Sequence, residues 1–254
     1  MELTLTIIVA LILGAFICEL IDSSLGMMYG TILSPVLLIA GFSPLVVVPS
    51  ILLSQAVSGF IAAIFHHRFR NANFHPKSDD SKTVYVITGL GIIATIISVL
   101  IAVNIPRVAL KTYIGVLVLA MGILLLTRSK FNFSWKKIML IGILSSFNKG
   151  LSGGGFGPVV TSGQMISGRK AKGAIGATTL AEVPICITGF LCYLFTKSIT
   201  DWHLVIFLLL GASAAAPIGA FLTSKFKSDK KIKVILGILT VILGVWTLAK
   251  TWLK

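Results

Sequence analysis

KGLSGGGFGPVVTSGQMISGRKAKGAIGATTLAEVPICITGFLCYL, residues 149–194, sets Gly153, Gly154, Gly155, Gly157 and Pro158 inside an otherwise apolar run. Glycine at that density destabilises a continuous helix. The run therefore reads as a helix that breaks and restarts at Gly157 or Pro158, since proline suits a first helical turn. Residues 22–65, DSSLGMMYGTILSPVLLIAGFSPLVVVPSILLSQAVSGFIAAIF, read as a distorted copy. An ungapped shift of 127 positions lays Gly26 on Gly153, Gly30 on Gly157, Gly41 on Gly168 and Gln55 on Glu182; after a five-residue deletion, a shift of 122 lays Gly89 on Gly211, Gly115 on Gly237 and Gly122 on Gly244. Glycine also recurs in membrane helices simply because small residues let them pack closely, but residues 153–157 are too glycine-dense for a packing motif. The chain reads as a duplication, with halves 1–127 and 128–254. Hydrophobic segments interrupted by Gly or Pro at matching places in both halves point to a secondary transporter whose site lies where the broken helices meet.

Composition sets the class. Hydrophobic residues make up 56% of the chain and charged residues only 12%, and runs such as 84–103, 108–126 and 232–248 are long enough to cross a bilayer as helices. Ten hydrophobic segments follow: 3–21, 27–41, 44–65, 84–103, 108–127, 137–150, 156–168, 171–195, 203–224 and 231–252. The first could be mistaken for a secretory leader. It lacks a preceding basic residue and a small-residue cleavage site, and ends in Glu19 and Asp22, so it is expected to remain as a membrane helix. The expected fold is all-α integral membrane, with about 8–10 transmembrane or half-membrane helices in two inverted repeats.

A net charge of +14 would suggest nucleic acid in a soluble protein; in a membrane chain it reports topology. With both termini outside, Arg68, Arg70, Lys77, Lys82, Arg128, Lys130, Lys136, Lys137, Arg169, Lys170, Lys172, Lys225, Lys227, Lys230, Lys231 and Lys233 fall inside, leaving Arg107, Lys111, Lys197, Lys250 and Lys254 outside. That asymmetry is a strong positive-inside bias and sets the orientation of a multi-pass membrane protein. Segments 27–41, 137–150 and 156–168 are shorter than a full span, so each half is expected to begin with a hairpin that only partly crosses. One half then starts outside and the other inside, which relates them by a pseudo-twofold axis in the membrane plane.

The linker from 66 to 82 holds His66, His67 and His75. No carboxylate or cysteine sits beside them at a chelating spacing, so the linker reads as a solvated connection and no metal is implied. Cys18, Cys186 and Cys192 are odd in number and lie in apolar segments, which supports neither disulfides nor a metal cluster. No cofactor is implied.

The chemistry must come from the few ionisable groups at membrane depth: Glu19, Asp22, Glu182 and Lys149. Each is a functional candidate, because an ionisable side chain inside a bilayer normally faces a cavity or a partner. Glu19 and Asp22 lie three apart near a helix end, where headgroup water or a pinning contact would also account for them. Glu182 stands beside the helix interruption at Pro184. Lys149 precedes the glycine run and occupies the repeat position of Asp22. A cation beside free backbone N–H groups at the start of a half-helix makes an anion site; the Gly153, Gly154 and Gly155 amides would serve it, with Ser152, Thr161, Ser162, Asn148 and Gln164 as further donors. A Lys149–Asp22 salt bridge across the pseudo-twofold is the rival arrangement.

The glycine-rich motif in LSSFNKGLSGGGFGPVVTSGQMISGRKAKGAIGATTLAEVP resembles that of the sulfite exporter TauE/SafE family of membrane permeases. The first half departs: Gly26, Met27 and Met28 stand where the triple glycine would be, leaving Gly30 and Pro35. The resemblance implies movement of small sulfur-containing or organic anions, such as sulfite or an organosulfonate, across the bacterial cytoplasmic membrane. The expected function is a secondary transporter, exporter or proton-linked permease, with Lys149 and the glycine amides holding the anion. Gln55 and Glu182 would face the site from the two halves, Glu182 as proton carrier with Asp22 and Glu19 as the other candidates, since burial penalises a carboxylate's charged form. An anion channel or an intramembrane enzyme is the alternative; no nucleophile elbow, Ser/His/Asp set or metal-ligand set favours the enzyme. The partners implied are a small anion and the lipid bilayer, with no nucleic acid and homo-oligomerisation left open. On this topology, single cysteines at Asp79 and Ser228 will label from the cytoplasm and one at Asp201 from outside; labelling of Asp79 and Ser228 from opposite sides removes the inverted repeat.

Overall fold

Glycine, proline and capping residues divide the apolar chain into ten helices in a computed structural model that describes residues 5–127, 135–166, 169–197, 201–225 and 230–253. They are α1 (Leu5–Leu25), α2 (Tyr29–Ala40), α3 (Pro44–Arg68), α4 (Asp79–Asn104), α5 (Arg107–Leu126), α6 (Trp135–Ser152), α7 (Phe156–Ile166), α8 (Ala171–Lys197), α9 (Trp202–Lys225) and α10 (Lys230–Trp252). No strand occurs among the described residues. Arg128, Lys130, Gly168, Lys227, Ser228 and Lys254 lie outside them, as does the Ser162 side chain.

Local chemistry sets the ends. Gly41, at φ 107°, closes α2 in the left-handed region, and Pro44 opens α3 in its first turn. The Ser78 hydroxyl accepts from the Ser81 N–H (3.2 Å), and Asp79 and Asp80 stand in the first turn of α4, where the helix dipole favours negative charge. That cap starts α4 at Asp79, five residues before the hydrophobic run. At the other end of the linker, α3 continues to Arg68 and buries His66, whose Nδ1 lies 3.1 Å from Asn71 Nδ2. His66 is therefore not part of a solvated connection.

Among the described residues, five helices, α1, α3, α4, α8 and α9, are long and apolar enough to cross a bilayer. The 12 residues of α2 and 11 of α7 reach only about 18 and 16 Å, roughly half a hydrocarbon core of about 30 Å. The fold is thus an all-α membrane protein with two half-length helices. Its surface is apolar and its largely apolar interior also holds hydroxyls: Leu5, Val9, Leu13 and Ile17 form an exposed stripe along α1, while Ser50, Ser54 and Ser58 on α3 and Thr95 and Ser98 on α4 are fully buried. Lipid supplies no hydrophobic force between helices, so small residues and hydroxyls hold them together.

The main packed pairs are α1 with α9, α4 with α6, α3 with α9, α4 with α8, α3 with α8, and α5 with α10. Exchanging α1–α5 with α6–α10 maps this set onto itself: α1–α9 trades places with α4–α6 and α3–α9 with α4–α8, while α3–α8 and α5–α10 are each carried onto themselves. At one end of the bundle, Lys172 donates to the Ser224 carbonyl (2.6 Å) and Arg169 pairs with Asp80, which gathers the basic α3–α4 and α7–α8 connections with the end of α9. At the other end, Trp252 donates to Thr112 (3.0 Å) and Lys250 to the Ile39 carbonyl.

The α1–α9 seam is a test of close packing. A methyl group at Gly211 would fall 2.2 Å from the Ile12 carbonyl oxygen, whereas one at Gly14 meets nothing within 4 Å. Gly211→Ala will lower stability by about 1–3 kcal/mol, and Gly14→Ala will be neutral or slightly stabilising, as read by thermal unfolding in detergent.

Candidate functional site

The breaks in α1–α2 and α6–α7 cross each other through bare backbone. A side chain at Gly30 would collide with the Gly153 carbonyl, one at Gly154 with the backbone of Gly30 and Thr31, and one at Gly157 with Gly26 and Met27. Under the 127-residue shift, the Gly30–Gly153 contact is the counterpart of the Gly157–Gly26 contact. The turns also correspond: Gly26 (φ 70°) and Gly153 (φ 75°) are left-handed, as are Met28 (φ 111°) and Gly155 (φ 79°). Met28 thus keeps the backbone that glycine would supply, in a region that costs a side-chain-bearing residue of order 1–3 kcal/mol.

Four polar side chains meet beside this crossing. Lys149, 1% exposed, forms an ion pair with Glu182 Oε1 at 2.8 Å and donates to Gln55 Oε1. The Gln55 amide donates in turn to Asp22 Oδ2 (3.1 Å), and Asp22 Oδ1 accepts from the Tyr29 N–H at the start of α2 (3.0 Å). Asp22, Gln55, Lys149 and Glu182 therefore form one connected network in which the neutral Gln55 joins an anion to a cation. The rival arrangement is corrected: Lys149 pairs with Glu182, and Gln55 stands between it and Asp22.

Glu19 and Asp22 are buried, because α1 runs on to Leu25 and carries both below the surface; headgroup water does not account for them. Ser58 donates to Glu19 Oε2 (3.0 Å) and Ser23 to its Oε1. The glycine amides are engaged by the chain itself. Gly153 N–H donates to the Lys149 carbonyl (2.8 Å), Gly154 N–H to Ser152 Oγ (3.1 Å) and Gly155 N–H to Thr31 Oγ1 (3.1 Å). Asn148 is buried and accepts from the Tyr113 hydroxyl. Gln164 lies away from the ion pair: it donates to Thr178 Oγ1 (2.9 Å) and accepts from Arg169 (2.7 Å). Thr161 donates to the Gly26 carbonyl (2.7 Å).

Thr31, Ser58 and Arg169 were not among the residues singled out in the sequence. A signal existed for Ser58, since Ser50, Ser54 and Ser58 recur every four residues and so mark one helix face. None existed for Thr31, whose role depends on the crossing. Arg169 lies outside the bilayer segments, where burial pulls its guanidinium below the ordinary value and the Asp80 charge opposes that shift. Among the described residues, no three His, Cys, Asp or Glu side chains gather as metal ligands.

Long apolar helices, two half-helices and a buried charge network at their breaks describe a multi-pass membrane transporter. The family described as Sulfite exporter TauE/SafE matches residues 10–247, and the chain belongs to that family. It is 30% identical to the "Probable membrane transporter protein YtnM" of Bacillus subtilis (strain 168) over 261 residues, covering 96% of this chain and 84% of that protein. No solved structure matches the chain. Family and relative make it a membrane transporter rather than an enzyme.

Removing one partner of a buried ion pair leaves the other charge uncompensated. Lys149→Met will therefore cost about 3–5 kcal/mol of stability, and Lys149→Met with Glu182→Gln will regain most of it; denaturation in mixed micelles reads both.

Proposed function

We propose that the chain is a proton-linked permease for a small oxyanion, of the chemical class of sulfite or an organosulfonate, built as two inverted repeats around the Asp22–Gln55–Lys149–Glu182 network. The observation that carries this reading is the buried Lys149–Glu182 pair at the crossing of two broken helices. The Glu182 carboxylate already neutralises the ammonium and so competes with an incoming anion for it. Protonation of Glu182 removes that competitor, so anion binding and proton binding favour each other. Asp22 and Glu19 face the same centre and oppose any anion that arrives without neutralisation. The glycine amides become donors to the anion only where the crossing loosens, because Ser152 and Thr31 occupy two of them in the closed arrangement. Net direction then follows the anion gradient, the proton gradient and the membrane potential.

The family's description as sulfite exporters supports sulfite as the first substrate to try. In vesicles with an imposed pH gradient, wild type will accumulate sulfite and Glu182→Gln will keep exchange while losing gradient-driven accumulation. Lys149→Ala will lose affinity by about tenfold or more, Lys149→Arg less, since a buried charge pair contributes at least one such factor. Full pH-driven accumulation by Glu182→Gln would move coupling to Glu19 or Asp22, and unchanged affinity in Lys149→Ala would make that residue structural.

A further inference from the structure

At the basic end of the bundle lies a cavity of about 870 Å³, walled by the α3–α4 connection, the α7–α8 connection and the last turns of α9. Five cations line it, Arg70, Lys77, Arg169, Lys170 and Lys172, against two acids, Asp79 and Asp80. Its inner wall leads to the broken helices by two routes. Arg169 donates to Gln164 (2.7 Å), Gln164 donates to Thr178 (2.9 Å), and Thr178 Oγ1 lies 3.0 Å from Thr161, which donates to the Gly26 carbonyl at the break in α1–α2. Thr223, also in the wall, donates to the carbonyl of Ser24 (2.9 Å) and lies 3.1 Å from that of Ser23, whose own hydroxyl holds Glu19. Ile175, which lines the cavity, also packs on the break: its backbone would lie 3.1 Å from a side chain placed at Gly26.

We infer that this cavity is a second anion-binding station, a vestibule that collects small oxyanions and delivers them to the central network, with the Arg169–Asp80 pair as its inner wall. The reading deepens the proposed permease and rests on it for the destination of the anion. The cavity itself stands on separate residues. A concave site with low-dielectric walls and an excess of one charge concentrates ligands of the opposite sign. The guanidinium of Arg169 is held in place by Asp80, Gln164 and Thr83, so a fixed positive charge stands at the wall. A free oxyanion and the phosphate of an anionic lipid share this chemistry, and the test separates them.

Ala171 lines the cavity and carries no hydrogen-bonding side chain, so Ala171→Cys places a thiol there with little disturbance. Labelling of that thiol is timed with a negatively and a positively charged thiosulfonate of similar size, in detergent free of anionic lipid, with and without sulfate. The vestibule predicts that the anionic reagent reacts about tenfold faster than the cationic one and that sulfate slows only the anionic reaction. Lys170→Glu, inside the cavity, will erase that preference; Lys225→Glu, on the same end of the bundle but outside the cavity lining, will leave it. Equal rates for the two reagents overturn the proposal, as does loss of the preference to the same extent in both variants, which would make it a general surface potential. Insensitivity to sulfate but suppression on adding phosphatidylglycerol also overturns it, in favour of a lipid headgroup site. The readout needs no turnover and no occupant at Lys149. If Lys149→Ala leaves sulfite flux intact, the central reading falls while the vestibule is judged by its own labelling ratio.

Discussion

A lysine ammonium at bilayer depth has no water to solvate it, so the fold must bring a counter-charge to it. Lys149 obtains that charge from Glu182, one helix away on α8, and a neutral acceptor from Gln55 on α3. These two contacts tie α6 to both long helices of the central pair. Near them stand Asp22 and Glu19, so the centre holds three carboxylates and one ammonium. With all four ionised it would carry a net charge of −2, being three negatives less one positive. Such a centre repels an anion. On the proposed reading, protons must therefore accompany or precede the substrate, and coupling follows from the composition of the site rather than from an added device.

The ion pair can form only because the backbones around it approach so closely. Gly30, Gly154 and Gly157 let the two breaks cross without any side chain between them, and the chain's own hydroxyls occupy the amides that the crossing frees. Ser34 donates to the Ser152 carbonyl (2.8 Å) and Tyr193 to that of Gly150 (3.0 Å), so the α6 side of the second break is hydrogen-bonded to α2 and α8. Irregular backbone at this depth is stable only when so buried in protein. The same bonds that stabilise the break also close it, and movement at the site must exchange them for bonds to substrate or water.

Much of this was legible in the sequence because membrane segments are decided by composition and breaks by glycine and proline, both of which are local properties. All ten segments became helices, with α4 and α1 extended by residues that hydrophobicity alone does not claim: Ser78 caps one, and Asp22 to Leu25 are carried into the interior on the other. The identities of Lys149, Glu182, Gln55 and Asp22 were legible as rare polar groups at depth. Their pairing was not. Lys149 to Asp22 and Lys149 to Glu182 are equally good bonds on charge alone, and only the three-dimensional offset between α3 and α8 decides that Gln55 lies between the first two. Gln164 shows the opposite limit, since its closeness in sequence to the glycine run suggested the anion, while the turn of α7 aims it at Arg169.

The two halves also explain why the site is asymmetric. On the repeat reading, Asp22 and Lys149 are equivalent positions, as are Gln55 and Glu182, and equivalent positions near a twofold axis lie close to one another. A perfect duplication would therefore set like charges face to face, which at low dielectric costs far more than in water. Divergence at those four positions removes the conflict: one half supplies a carboxylate and a neutral amide, the other an ammonium and a carboxyl. Asp22 then satisfies the first amide of its own half-helix α2, while at the corresponding place in the second half the chain offers a cation. An oxyanion held by Lys149 would repeat at α7 the part that Asp22 plays at α2, so the first half already displays, in its own side chain, the chemistry that the second half would leave for substrate.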